Sequence, residues 1–217
     1  MNQSPVLELI AAVDQADSAP KLVAAVWQLA NVRSETAIPK LITALGYNNP
    51  GAAVAAVEGL VALGSAAVPA LLEHLDGYNY GARAWALRAL AGIGDPRSLA
   101  LLGQTAESDF ALSVRRAAAR GLGNIRWSDM AAATIPAAQE KAMQSLLKAS
   151  TDPEWVVRYA AVVGLQGLGV AMRQHQHHGS LAIDDRLQEM AANDAELAVR
   201  ARALLAAQEL NRNSQDV

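Results

Sequence analysis

A leucine that returns at a near-constant interval constrains this chain more than any other feature. The segments "AAVWQLANV", "AAVEGLVALG", "WALRALAGIG", "RAAARGLGNI", "YAAVVGLQGLG" and "VRARALLAAQEL" align on Leu29, Leu60, Leu90, Leu122 and Leu165, with Ala207 in the sixth place. The intervals are 31, 30, 32, 43 and 42 residues. Self-similarity at this period is the mark of stacked helical pairs. Each of the first five quoted helices is followed by a second one, in "AIPKLITAL", "AVPALLEHL", "RSLALLGQT", "AMQSLLKAS" and "DRLQEMAAN". Gly64, Gly94 and Gly169 stand where the first helix of a pair should close, a place that favours glycine. Pro39, Pro69 and Pro96 stand where the second should open, where a missing donor does no harm. No stretch alternates with period two, so no strands are expected.

One helical pair cannot bury its own apolar face, whereas stacked pairs share a continuous core. The expected fold is therefore all-α: a HEAT-repeat α-solenoid of about five helical pairs plus a terminal helix, as a single domain over residues 1–217. The two longer intervals carry insertions. The one near 126–141 extends a helix in this reading, and the one near 170–180 ("VAMRQHQHHGS") is an exposed loop. Apolar residues are 52% of the chain but Phe occurs once, so Ala, Leu and Val must build the core. The apolar run "GAAVAAVEGLVALGSAAVPALL" is interrupted by Glu58 and broken at Gly64, Ser65 and Pro69. It reads as two helices rather than a membrane span. With no signal-peptide pattern at the N-terminus, a cytoplasmic protein is expected. The absence of cysteine excludes disulfides, thiolate catalysis and cysteine-based metal sites. A net charge of −3 argues against a general nucleic-acid partner.

Helical geometry sorts the arginines into two kinds. Arg83, Arg115, Arg158 and Arg200 precede the leucine column by seven residues, which at about 100° per residue places them about 20° from the buried direction. Asp109, Asp152 and Asp194 precede three of them by six residues. These arginines read as architectural, each bonded to a nearby Asp or to helix-end carbonyls, since a buried guanidinium needs such partners. Arg88 and Arg120 precede the column by two residues, about 160° from the core, and Arg116 shares the face of Arg120. They are expected to form an exposed ladder bordered by Trp85, although Glu58 holds the same place one repeat earlier and offers Arg88 an ion-pair partner. Residues 78–126 hold seven Lys/Arg against three Asp/Glu, a local basic excess in an acidic chain.

Aromatic residues are 4% of the chain, yet Tyr78, Tyr80 and Trp85 fall within eight positions, and Trp127, Trp155 and Tyr159 continue into later repeats. Trp27 lies in a first helix and reads as packing. No phosphate loop, nucleophile elbow or Ser–His–Asp set is present. The cluster of His175, His177 and His178 has no carboxylate or cysteine at short spacing, so no metal site is expected. Asp95 and Asp109 are weak candidates for proton carriers, and Asp95 also fits a capping role.

The stretches "DGYNYGARAWALRALAGIGDPRSLALL", "SDFALSVRRAAARGLGNIRW" and "YNNPGAAVAAVEGL" closely resemble the E/F-type phycobilin lyases of cyanobacteria, and length and repeat order are most like the small, F-type subunits. The resemblance implies a heterodimer with a larger E-type HEAT-repeat subunit. It implies binding of an open-chain tetrapyrrole, phycocyanobilin or a related bilin, as substrate rather than as a tightly bound cofactor. It also implies attachment of that bilin by a thioether to a cysteine of an apo-phycobiliprotein α subunit. The sulfur then belongs to the acceptor, which agrees with a chain that has none of its own, and the Asn-His-Cys motif of isomerising relatives is missing. On this reading Tyr78, Tyr80, Trp85, Arg88, Arg116, Arg120, Trp127, Trp155 and Tyr159 are the candidate bilin contacts: guanidinium groups for propionates, rings for the conjugated face. The alternatives are a relative that acts in chromophore removal or phycobilisome disassembly, and a scaffold that binds only proteins.

Overall fold

The computed structural model describes residues 3–73, 80–174 and 180–213. Twelve α-helices and several short 3-10 turns account for these residues, and none of them is a strand. The chain divides into two compact units, Met1–Asp95 and Pro96–Val217. The first holds α1 (Gln3–Asp14), α2 (Ala19–Asn31), α3 (Ile38–Leu45), α4 (Pro50–Leu63), α5 (Val68–Glu73) and α6 (Tyr80–Ile93). The second holds α7 (Leu99–Ser108), α8 (Leu112–Leu122), α9 (Ile135–Ala149), α10 (Trp155–Gln174), α11 (Ser180–Asn193) and α12 (Leu197–Asn213).

Even-numbered helices are the first helices of the repeats, and α1 precedes the array as a helix the periodicity did not reveal. Leu29, Leu60, Leu90, Leu122 and Leu165 are all fully buried. In the first unit α2 packs on α4 and α4 on α6; in the second α8 packs on α10 and α10 on α12. Gly64 and Gly94 close α4 and α6 with φ of +63° and +68°, a conformation that L side chains rarely adopt. Gly64 thereby divides the long apolar run into α4 and α5. Among the described residues α10 alone is both long and apolar enough to cross a membrane, but half of that stretch is buried against its neighbours in the array.

Three local expectations need correction. Gly169 does not end a helix: α10 runs on to Gln174, and a side chain at 169 would meet Leu210 of α12 at 3.1 Å. Residues 170–174, expected as loop, are therefore helical, with Met172 fully buried and Arg173 paired to Asp184 of α11. The insertion near 126–141 forms two 3-10 turns, Trp127–Asp129 and Ala132–Thr134, before α9 begins, so only its second half lengthens a helix. His74, His175, His177 and His178 lie outside the described residues.

The architectural arginines do more than their spacing suggested. Arg115 Nη1 donates to the carbonyl oxygens of Asp109 and Phe110, at 2.8 and 3.1 Å, just before α8. Its Nε and Nη2 fork onto the carboxylate of Asp152, which lies one repeat later, at 2.7 and 3.1 Å. Arg158 repeats this with the carbonyls of Asp152 and Pro153 and the carboxylate of Asp194. Arg200 in turn donates to the carbonyls of Asp194 and Ala195. The aspartate six residues before Arg115, Arg158 and Arg200 thus supplies a main-chain oxygen to each, and the carboxylates of Asp152 and Asp194 serve the arginine of the previous repeat, Arg115 and Arg158. The same carboxylates accept from N–H groups two residues on, Asp152 from Glu154 and Asp194 from Glu196. For Asp152, burial works against ionisation, but the Arg115 pair and the Glu154 N–H outweigh it and hold the carboxyl below its ordinary value. The Arg158 pair does the same at Asp194, against burial and with help from the Glu196 N–H.

Candidate functional site

The position two residues before the buried leucine is exposed in the first four repeats, and it carries two of the site candidates, Arg88 and Arg120. In the first unit that position holds Trp27 on α2, Glu58 on α4 and Arg88 on α6, all exposed. Because α2, α4 and α6 pack in that order, the three side chains follow one another on consecutive helices. The Arg88 guanidinium carbon lies 5.3 Å from the centre of the half-buried Trp85 ring, a cation–π contact worth about 0.5–1 kcal/mol at an exposed site. Glu58 does not take Arg88 as an ion-pair partner. Trp27, 38% exposed, corrects the expectation of packing. The signal was in the sequence, since Trp27 stands as far before Leu29 as Arg88 stands before Leu90.

In the second unit the matching face is built by α8 and α10. Arg116 and Arg120 are exposed one turn apart on α8. Trp155 and Tyr159 are exposed one turn apart on α10, at 43% and 37%. Arg116 follows Arg115 and Tyr159 follows Arg158, so cation and ring hold equivalent places on helices that pack directly. The packing brings backbones together. A Cβ at Gly164 would meet the Ala119 carbonyl oxygen at 2.4 Å, and one at Gly167 would meet that of Gly123 at 2.3 Å. Phe110, Leu112 and Leu197 add exposed apolar surface near the starts of α8 and α12.

The remaining candidates fall elsewhere. Trp127 is 5% exposed in its 3-10 turn, because the segment after α8 folds back with Ile125 and puts the ring in the core. It therefore leaves the exposed set. Tyr78 lies outside the described residues; Tyr80 begins α6, but only its backbone is described. Asp95 and Asp109 are 5% and 8% exposed. Asp109 accepts from the Ala111 N–H and lends its carbonyl to Arg115, a structural use that sets it away from the exposed face.

Comparison with known proteins agrees with this architecture. The HEAT-repeat family model matches residues 6–80 and 68–166. The chain is 53% identical to the phycocyanobilin lyase subunit beta of Pseudanabaena tenuis, over 97% of this chain and 75% of that one. It is 51% identical to the phycocyanin alpha phycocyanobilin lyase CpcF of Synechocystis sp., over 90% of each. Among solved structures, the complex of CpcE and CpcF of phycocyanin lyase from Nostoc sp. contains a chain 54% identical, with a TM-score of 0.74 over 80% of this chain and 99% of that one. A designed armadillo repeat protein, 18% identical at a TM-score of 0.54, shares the helical-repeat fold. With half of its residues identical over nearly its full length, the chain belongs to the HEAT-repeat family of phycocyanobilin lyase subunits.

Proposed function

We propose that this chain is the small subunit of a heterodimeric phycocyanobilin lyase. With an E-type partner it takes up an open-chain tetrapyrrole in the cytoplasm and promotes its attachment to a cysteine of the phycocyanin α subunit. The observation that carries this reading is the identity of 51% over 90% of both chains with a lyase of that name, together with a solved neighbour that is a two-subunit complex.

The chemistry asked of the chain is modest. The acceptor's thiol adds across a carbon–carbon double bond of a bilin side chain: the S–C bond forms, the double bond is consumed, and the thiol proton ends on the adjacent carbon. Nothing leaves and nothing is oxidised. This chain has no cysteine, so the sulfur comes from the acceptor. Its contribution is to hold the bilin in one conformation and present it, which raises the effective concentration of the reacting carbon. Arg88, Arg116 and Arg120 are the proposed propionate contacts, since guanidinium groups pair carboxylates bidentately. Trp85, Trp155 and Tyr159, with Tyr78 and Tyr80, are the proposed contacts for the conjugated face.

The test is coexpression of this chain with an E-type subunit, a bilin-producing pathway and an apo α subunit. Pigment that stays on the acceptor through denaturation supports the proposal. An acceptor that stays colourless overturns it, and loss of pigment from a pre-loaded acceptor would point to chromophore removal instead.

A further inference from the structure

The helix α4 reads "PGAAVAAVEGLVAL", and Glu58 is its only charged residue. The other thirteen positions are Pro, Gly, Ala, Val and Leu. Glu58 is exposed, and Arg88 stands at the equivalent position on α6, which packs against α4. Yet Arg88 rests on the Trp85 ring, and no ion pair joins it to Glu58. On the other helices that pack against α4, Lys21 of α2 pairs with Asp17 and Lys40 of α3 with Asp14. Arg83 of α6 lies half-buried on the core side of its helix. On the other side of Glu58, at the same position of α2, stands the exposed ring of Trp27.

The order across three packed helices is therefore ring, carboxylate, then guanidinium over ring. An open-chain tetrapyrrole presents the complementary set: a conjugated face, pyrrole nitrogens that donate and can carry a proton, and propionates. We propose that Glu58 is a bilin contact that pairs with the pyrrole nitrogens and keeps the bound bilin protonated, with Trp27 against one end of the conjugated system and Arg88 on a propionate. This rests on the reading that the chain handles a bilin, and it assigns to Trp27 and Glu58 a part in that site. The physical warrant is direct. A negative charge within a few ångströms favours the protonated form of its neighbour, and a carboxylate accepts from N–H groups without donating in return.

The experiment is a pH titration of the absorption spectrum of phycocyanobilin bound to the lyase heterodimer, with wild-type chain, Glu58→Gln, Glu58→Asp and Trp27→Ala. Glu58→Gln is expected to lower the ratio of protonated to neutral bound bilin by about tenfold at a fixed pH, the effect of removing one close charge. Glu58→Asp should recover part of it. Trp27→Ala should weaken binding by about threefold and leave the protonation ratio alone. If wild-type heterodimer binds no bilin, the reading beneath the proposal fails with it. If the wild type binds, and Glu58→Gln titrates as the wild type does, Glu58 is not the carboxylate and only this proposal falls. Thermal melting of the free variants shows whether a change in binding is a change in fold.

Discussion

The two units join their repeats by different means. In the first, neighbouring first helices meet through small residues: a Cβ at Gly59 would come within 2.7 Å of Ala30, and one at Gly92 within 2.7 Å of Val61. The turn before α4 is held by Asn49, whose side-chain oxygen accepts from the Ala52 N–H. Where the second unit has Arg115 and Arg158, the corresponding place on α4 holds Ala53. In the second unit the helices also meet at glycine, and each repeat is further bonded to the next by an arginine fork on an aspartate. The first unit has polar ties of its own, the Asn49 side-chain amide donating to the Ala19 carbonyl at 3.4 Å and Lys40 pairing with Asp14, while the two arginine forks lie where consecutive positions of the leucine column are 43 and 42 residues apart.

That contrast is open to breakage, and the largest effect should come from Arg158→Ala. It strands the Asp194 carboxylate, whose side chain is 6% exposed, and frees two carbonyls in the turn before α10. A cost of about 3 kcal/mol is expected, with a fall in melting temperature of about 6–12 °C. Asn49→Ala, the first unit's counterpart, should cost about 1 kcal/mol; equal losses for the two would refute the comparison. Next comes Gly164→Ala, which presses a methyl onto the Ala119 carbonyl and should cost about 2–3 kcal/mol by thermal unfolding.

Acidity should separate the units too. Three carboxyls of the second unit are held below their ordinary values, Glu107 by the Ser145 hydroxyl and Lys148, and Asp152 and Asp194 by their arginines against the cost of burial. Their folded values are depressed, so the stabilisation is complete above the ordinary values of 4.5 and 3.8 and is lost as pH falls through the depressed ones. Lys40 in the first unit is raised above 10.5, chiefly by its hydrogen bond to Asp14, so its smaller contribution is present below that value and lost as pH rises through the raised one. Hydrogen exchange or proteolysis below about pH 4 should therefore open the second unit before the first. The smallest effects on stability belong to the exposed face. Arg88→Ala and Arg120→Ala should each weaken bilin binding by about tenfold, as loss of a charged hydrogen bond would, while the melting temperature moves by about 1 °C or less.

How far the sequence reached depended on whether a residue repeats. The leucine column, the positive-φ caps at Gly64 and Gly94 and the sorting of Arg88 and Arg120 from Arg115 and Arg158 all follow from period and angle, and all agree with the burial observed. The partner of Arg115 was out of reach, because Asp109 and Asp152 are alike in sequence and only the stacking distance selects the second. Trp27 reads as packing from its place in a first helix, yet it stands as far before Leu29 as the exposed Arg88 before Leu90. Trp127, 5% exposed, lies in an insertion with no counterpart in the other repeats, so the period gives no guide to its exposure. The extension of α10 beyond Gly169 went unseen because glycine marks a helix end only when the chain turns there, and here it makes room for Leu210.

The arginine–aspartate tie has a consequence for how such a chain tolerates change. Between Arg115 and Asp152 lie a second helix and two 3-10 turns, and the bond records none of that length. It compares only the head of one first helix with the head of the next. Residues gained or lost around Ala131–Ala133, which are exposed, would leave α8 and α10 in step. The heritable variation most easily absorbed by the second unit is therefore in the number of residues between ties, not in the identity of the residues that make them.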